Sequence, residues 1–267
     1  MEQKQACKKK ETAKIISQAR IAPGIYDMWM GTGLAAQAAP GQFIAVYPKD
    51  KSTLLPRPIS ICEADPERGA LRIVYRVAGK GTEEFSNYQA GDSIEIMGTL
   101  GNGFPTEKAA GKTALLMGGG IGVPPLVELA KELKEKGIAK QILITAGYRD
   151  GNLFLSEDLS QYGDFYPATE DGSAGTKGNV LDAVAAAGLK PDVIFACGPM
   201  PMLRAIKGYA SESGIEAYIS LEERMACGVG ACLGCVCKTV KKDSHSHVNN
   251  ARICTDGPVF EAKEVEI

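Results

Sequence analysis

The sequence has no long hydrophobic run, no excess of charge of one sign and few aromatic residues. No stretch approaches the roughly 18 apolar residues that a membrane-spanning helix needs, so none is expected. The 267 residues carry 30 Lys and Arg against 32 Asp and Glu, which gives no reason to expect a nucleic-acid partner. No apolar core follows the basic start MEQKQACKKK, so a secretory signal peptide is not expected either.

Cysteine is present in an unusual distribution. Five of the eight cysteines lie between residues 227 and 254, whereas Cys7, Cys62 and Cys197 are solitary. A secreted fold stapled by disulfides usually has cysteines throughout a shorter chain. The clustering therefore indicates metal ligation in a reducing compartment, and we expect a cytoplasmic protein.

The chain divides into three regions by its pattern of apolar residues. Residues 1–108 contain about six short strands separated by Pro and Gly turns, which predicts a β-barrel. In residues 109–223, short apolar strands alternate with amphipathic helices, which predicts a doubly wound parallel α/β sheet. Residues 224–267 are rich in Gly and Cys and too irregular for a core of their own, so a cluster-binding segment is expected.

The cysteine-rich segment has a specific ligand spacing. Cys227, Cys232 and Cys235 form C-x4-C-x2-C, and Cys254 follows in RICTDGP, which is the ligand order of plant-type 2Fe–2S ferredoxins. A zinc site is the alternative, but zinc usually takes its thiolates from two C-x2-C pairs. The first interval here is x4 with glycines inside it, which favours a 2Fe–2S cluster.

Three further residues near this motif are weaker metal ligand candidates. Cys237 lies two residues beyond Cys235, but the ferredoxin spacing is complete without it. His245 and His247 lie among Ser, Asn and Asp residues, a composition that favours a solvated loop over a metal site.

Two motifs in the barrel region predict a flavin site. In Arg57-Pro58-Ile59-Ser60, the guanidinium can offer paired donors to a diphosphate and the serine a hydroxyl. Alone, this motif fits an ordinary surface turn equally well. Downstream, the run GKGT places Gly81 and Thr82 where a phosphate could approach bare backbone amides. The two motifs together favour FAD.

Two glycine-rich turns in the α/β region predict a dinucleotide site. The run GGGIG contains Gly119, Gly120 and Gly122 between a strand and a helix, and Cys197-Gly198 ends a later strand. Turns at the carboxyl ends of parallel strands form the crevice in which dinucleotides bind. For Cys197, burial as a small apolar side chain is as good an interpretation as contact with a nicotinamide ring.

This layout resembles the ferredoxin–NADP reductase superfamily. The runs GGGIGVPPLVELA, FACGPMPML and ERMACGVGACLGCVCKT, with CTDGPVF, are similar to the electron transfer subunits of NAD-dependent dihydroorotate dehydrogenase. The resemblance covers nearly the whole chain. The stretch KKDSHSHVNNAR before Cys254 departs from it as an insertion, which weakens the assignment of that ligand by spacing.

The resemblance implies FAD, a 2Fe–2S cluster and NAD as electron acceptor. It implies that Arg57 to Ser60 hold FAD, that Val74, Tyr75 and Arg76 line the flavin, and that Gly81 and Thr82 meet its diphosphate. It also implies an FMN-bearing catalytic partner, a heterotetramer with two copies of each subunit, and a place in pyrimidine (UMP) biosynthesis.

No side chain in the sequence is a candidate base for carbon chemistry, and this fits an oxidoreductase subunit whose substrate site lies on its partner. Two alternatives remain open. One is the FAD and 2Fe–2S subunit of a transhydrogenase, sulfide dehydrogenase or glutamate synthase complex. The other is a zinc-stabilised nucleotide-binding regulator without a redox role.

Overall fold

The computed structural model describes residues 9–242 and 247–267. Its first part is a closed barrel in which the strands follow the order β1-β2-β5-β4-β3-β6. All neighbouring strand pairs in it are antiparallel. The elements are β1 (Lys9–Ala22), β2 (Ile25–Gly31), β3 (Phe43–Tyr47), β4 (Arg57–Asp65), β5 (Ala70–Arg76), helix α1 (Lys80–Ser86) and β6 (Ser93–Leu100).

The second part is a seven-stranded sheet in the order β10-β9-β8-β7-β11-β12-β15. Its first six strands are parallel, and β15 joins the edge antiparallel to β12. The elements are β7 (Thr113–Gly119), α2 (Pro125–Glu135), β8 (Gln141–Tyr148), α3 (Ser156–Tyr162), β9 (Asp164–Thr169), β10 (Thr176–Lys177), α4 (Val180–Ala186), β11 (Val193–Cys197), α5 (Met200–Ser213), β12 (Glu216–Ser220) and β15 (Val259–Glu261).

Helices cover both faces of this sheet. Leu126 and Leu133 of α2 pack with Leu159 of α3 on one face, whereas Val184 of α4 and Leu203 of α5 pack on the other. A parallel sheet needs this arrangement because its strands are apolar on both sides. The prediction of a barrel followed by a doubly wound sheet is therefore confirmed. None of the helices in the two described ranges is long and apolar enough to span a bilayer.

The last part of the chain crosses from the sheet to the barrel and back. After β12 it forms a short hairpin of β13 (Val236–Lys238) and β14 (Asn250–Arg252). It then passes the end of the barrel, where Asn102 donates its backbone N–H to the Gly257 oxygen over 2.6 Å. The segment therefore contacts both of the preceding parts before β15 completes the sheet.

Candidate cofactor and cluster sites

The two predicted flavin motifs meet at one edge of the barrel. A Cβ atom placed on Gly81 would lie 2.8 Å from Arg57 Nε, so only glycine lets α1 approach the guanidinium this closely. Thr82 caps α1: its Oγ1 accepts the Ala78 N–H at 2.9 Å. The geometry brings an arginine fork and the start of a helix together, an arrangement that suits a diphosphate.

The remaining residues predicted to line the flavin divide between the two faces of their strands. Ile59 and Tyr75 turn their side chains into the barrel core, where the Tyr75 hydroxyl donates to Gln18 Oε1 at 2.8 Å. Only the backbone of these two residues could face a flavin. Pro58 and Ser60 alternate with Ile59 along β4 and are half-buried on the outer face.

Val74 and Arg76 lie on the outer face of the neighbouring strand. Val74 packs into the apolar core shared by the barrel and helix α2, and Arg76 is exposed. Arg76 also lines a cavity of about 440 Å³ between the barrel and the sheet. Arg76 therefore connects the predicted flavin edge of the barrel to the crevice that the nucleotide residues line.

This crevice contains part of the predicted dinucleotide site. Gly119 and Gly120 line it together with residues from the carboxyl ends of β8 and β9 and from the start of α4. Open sheets of this class bind ligands at the carboxyl ends of their strands. The crevice also includes polar residues that the sequence analysis did not single out: Arg149, Asp150, Asn152, Glu170 and Asn179.

Gly122, Cys197 and Gly198 act through close packing beneath the crevice. A Cβ atom on Gly122 would lie 2.4 Å from the Cys197 carbonyl oxygen and 2.6 Å from Gly198 Cα. A Cβ atom on Gly198 would lie 2.5 Å from Met202 Cε. The glycines therefore allow the two predicted turns to touch, while the Cys197 side chain itself is 1% exposed.

Glu222 is a charged group near Cys197 that sequence reasoning missed. Burial, followed by the charge of Glu222, raises the pKa of the Cys197 thiol, so this cysteine stays neutral. Part of the Glu222 side chain is exposed to solvent. The protein atoms packed around the rest of it raise the pKa of its carboxyl group, and the positive charge of Arg76 lowers that pKa in part. Its position just beyond strand β12, in the same sheet as Cys197, is the signal that could have found it.

The four predicted cluster cysteines lie in two adjacent pairs. The Cys232 backbone N–H donates to Cys227 Sγ at 3.4 Å, and the Cys254 N–H donates to Cys235 Sγ at 3.4 Å. The Gly230 N–H connects the two pairs by donating to Cys254 Sγ at 3.2 Å. Four thiols in two adjacent pairs are a donor set that would suit a 2Fe–2S cluster.

The loop around Cys227 stabilises a thiolate. Burial alone would raise its pKa, but backbone N–H donors from Val229, Cys232 and Ala231 lower the pKa to about 6. By contrast, burial and the neighbouring Cys235 raise the pKa of Cys254 to about 11. Thiolates are the form that binds iron, so the N–H donors of this loop favour the ligand form of Cys227.

The weaker ligand candidates lie on the hairpin and in the loop that follows it. Within residues 9–242 and 247–267, no three Cys, His, Asp or Glu side chains form a ready-made metal site, and this includes the four predicted cysteines. Cys237 is half-buried on β13 and packs beside the apolar core that includes Cys235, and burial raises its thiol pKa. His247 is exposed in a loop, and His245 lies outside the described residues.

The comparisons with known proteins place the chain among flavin and iron–sulfur proteins. Residues 222–266 match the family described as the iron-sulfur cluster binding domain of dihydroorotate dehydrogenase B. A Listeria monocytogenes relative, named dihydroorotate dehydrogenase B (NAD(+)), electron transfer subunit, is 43% identical over 256 residues. That match covers 95% of this chain and 98% of the relative. A Bacillus cereus protein of the same name is 43% identical over 260 residues, covering 96% and 98%.

Two solved structures of ferredoxin reductases are similar in fold to this chain. An NADH-dependent reduced ferredoxin-NADP oxidoreductase, described for flavin-based electron bifurcation, has a TM-score of 0.84 and 30% identity. It covers 95% of this chain and 89% of its own. A Neisseria gonorrhoeae ferredoxin NADP+ reductase with bound FAD and NADP has a TM-score of 0.66 and 16% identity. It covers 80% of this chain and 94% of its own, and at that identity it supports the fold alone.

Proposed function

Since the chain belongs to the family of dihydroorotate dehydrogenase B (NAD(+)) electron transfer subunits, we propose that it passes electrons from a catalytic partner to NAD⁺. The proposed route runs through a 2Fe–2S cluster in the C-terminal segment and FAD at the barrel edge. When bound, the cluster carries single electrons and FAD combines them into a hydride. The observation that carries the proposal is the paired arrangement of four thiols beside a flavin-type barrel.

We assign the residues of this chain as follows. Arg57 and the glycine turn at the start of α1 hold the FAD diphosphate, with Pro58 and Ser60 on the outer face of β4 and Arg76 on β5 toward the ring. Val74 is buried between β5 and helix α2 and supports this face from beneath. The backbone of Ile59 and Tyr75 completes that edge. The loop with Gly119 and Gly120 takes the NAD pyrophosphate, supported from below by Gly122, Cys197 and Gly198.

The cluster ligands are Cys227, Cys232, Cys235 and Cys254. Backbone N–H groups of Gly230, Ala231, Gly234 and Cys254 each donate to one of these four sulfurs, and such donors would stabilise a thiolate-bound cluster. The proposed division into a barrel region to residue 108, a nucleotide region to residue 223 and a cluster segment assigns one redox group to each part.

The partner is proposed to be an FMN-bearing subunit that oxidises dihydroorotate in pyrimidine biosynthesis, in a cytoplasmic complex with two copies of each chain. The relatives' name, electron transfer subunit, supports a separate catalytic partner. The cluster loop exposes the apolar side chains of Val229 and Leu233, at 40% and 65%, beside the cysteines. Exposed apolar side chains around a redox centre suit a protein interface.

One experiment tests the proposal in two arms. The purified holoprotein is mixed anaerobically with NADH and ferricyanide, and separately with dihydroorotate in the presence and absence of the catalytic subunit. We expect ferricyanide reduction from NADH, and bleaching of the flavin by dihydroorotate only when the partner is added. Catalytic reduction of the isolated chain by dihydroorotate would place the substrate site here and refute its role as an electron conduit.

A second candidate function is a flavin and iron–sulfur subunit of a bifurcating complex. It is supported by the 30% identity to the NADH-dependent reduced ferredoxin-NADP oxidoreductase over 95% of this chain. The dihydroorotate arm of the assay separates the two, because only the first proposal predicts that dihydroorotate bleaches the flavin when the dihydroorotate-oxidising subunit is added.

A further inference from the structure

A set of polar contacts joins helix α2 to barrel strand β4. Glu128 Oε2 accepts the Ala64 backbone N–H at 2.8 Å, and Lys131 Nζ donates to the Ala64 carbonyl oxygen at 2.9 Å. Lys131 also contacts Glu63 Oε1 at 3.1 Å. Two side chains on one turn of helix α2 therefore bind both the N–H and the C=O group of Ala64. We call Glu128, Lys131 and Ala64 the α2–β4 clasp.

The clasp lies where strand β4 extends beyond the end of its pairing with strand β3. Strand β3 pairs with β4 from Arg57 to Ser60, so among the residues that the structure describes no strand lies beside β4 near Ala64 on that side. Ala64 is 3% exposed, and an unpaired buried N–H or C=O group is costly. Helix α2 supplies the two missing partners with side chains of opposite charge.

A wider ionic network surrounds the clasp. Glu63 also contacts Arg72 Nη1 at 3.3 Å, and Arg72 Nη2 contacts Asp27 Oδ2 at 2.8 Å. Arg72 reaches across to Asp158 of helix α3 as well. The carboxylates come from three elements of the two cofactor-binding parts, and Arg72 is only 9% exposed. The contacts are therefore screened little by solvent.

The two clasped elements each lead directly to a proposed cofactor site. Strand β4 begins with the Arg57–Ser60 motif, and helix α2 follows immediately on the Gly118–Gly122 loop. The apolar core between them, which includes Cys62 and Val74, resists their separation, but each hydrophobic contact in it is non-directional. Hydrogen bonds to one residue's N–H and C=O groups are directional and fix the register.

We propose that Glu128 and Lys131 are positioning residues, which set the distance between the flavin strand and the dinucleotide loop for hydride transfer. The inference rests on the proposed function, because it needs both FAD and NADH in the crevice. A displacement of about 1 Å between two reacting groups can lower a rate by about 100-fold without weakening either binding site. Loss of the clasp is therefore expected to lower the transfer rate more than the affinities.

The test is anaerobic stopped-flow reduction of FAD by NADH in the holoprotein. We expect Lys131→Met to slow reduction by about 10- to 100-fold, with NADH affinity changed by less than about threefold. The long-wavelength charge-transfer absorbance of the NADH–flavin complex should also weaken, a change that reports stacking geometry. Lys134→Met is the matched control, because Lys134 is exposed on the same helix and outside the clasp.

A graded series keeps the test decisive if Lys131→Met fails to fold. Lys131→Gln retains a donor for Ala64, and Lys131→Arg can also reach Glu63, so the rate should recover in that order. Wild-type rates and charge-transfer bands in every folded variant would overturn the positioning role. A wild-type holoprotein that NADH does not reduce would instead refute the proposed function.

Discussion

The barrel and sheet differ from the cluster segment in what holds them in place. The first two parts bury large side chains such as Phe85 and Phe195 completely, on strands that are mostly five or more residues long. The strands of the cluster segment have three residues each, and its Val229, Leu233, Val240 and Val248 are exposed. Two parts therefore have apolar cores of their own. The third has none, and it buries Cys235, Ile253, Cys254 and Val265 in a core that it shares with the sheet and the barrel end.

The cluster segment is attached at its two sides rather than packed around a centre. Asn102 of the barrel end donates to the carbonyl oxygens of Thr255 and Asp256, at 3.0 and 3.1 Å. Gly228 lies against Leu100, and β15 pairs with the sheet. The loop that holds the cysteines runs between these attachments, so metal ligation is expected to supply its remaining stability.

The largest expected effect tests whether the cluster segment depends on metal ligation. Replacing Cys232 with Ser should remove the 2Fe–2S cluster almost completely, because a hydroxyl is a poor substitute for a cluster thiolate. The barrel and sheet should remain folded with FAD bound, since their cores do not include Cys232. The measurements are the EPR signal of the reduced protein, iron content and flavin content.

Cys237→Ser is the control for that substitution, and we expect it to keep the cluster. An unchanged EPR signal in Cys232→Ser would contradict the ligand assignment. Loss of flavin together with iron would show that the barrel depends on the cluster segment and that the contrast between the regions is wrong.

The next effect concerns FAD retention in the barrel. Arg57→Ala removes one charge-assisted contact with the diphosphate, worth about 1.5–3 kcal/mol, so FAD affinity should fall about 10- to 150-fold. Arg68→Ala is the control, because Arg68 is an exposed barrel arginine outside both flavin motifs, and its Nε lies 3.8 Å from Asp65 Oδ2. Flavin content is measured after dialysis against flavin-free buffer. Full occupancy in Arg57→Ala would mean that Arg57 belongs to a surface turn and not to the site.

A smaller effect is expected where two turns of the sheet touch. A methyl group at Gly122 would lie 2.4 Å from the Cys197 oxygen, so Gly122→Ala should destabilise the protein by about 1–3 kcal/mol and weaken NADH binding. Gly208→Ala is the matched control on helix α5, with no atom near the new methyl group. It should stabilise by about 0.5–1 kcal/mol. Equal melting temperatures for the two variants would refute the close-packing role.

The sequence predicted the fold and the grouping of motifs because both rest on local patterns. Alternation and turns identify strands whatever their partners, and the pairing of Arg57 with Gly81 follows from two motifs in one barrel. The inward orientation of Tyr75 could not be predicted, since it depends on which face of a closed barrel β5 presents. Glu222 and the α2–β4 clasp were missed because they join elements distant in the chain.

The smallest expected effect concerns the pH dependence of the clasp. Burial is the largest influence on Glu128 and raises the pKa of its carboxyl group above the ordinary value. The Ala64 N–H and the charge of Lys131 lower this pKa in part, and the charges of Glu63 and Glu132 add to the increase. A carboxyl group whose pKa is raised on folding contributes stability at low pH that is lost as pH rises through the folded-state value.

The wild type should therefore lose stability relative to Glu128→Gln as pH rises from about 4 toward neutrality. The difference between urea midpoints across this range measures the effect, with Glu212→Gln, exposed on helix α5, as the control. A difference that is constant with pH, or that grows in favour of the wild type, would mean that the carboxylate is stabilised by the clasp rather than strained by burial there.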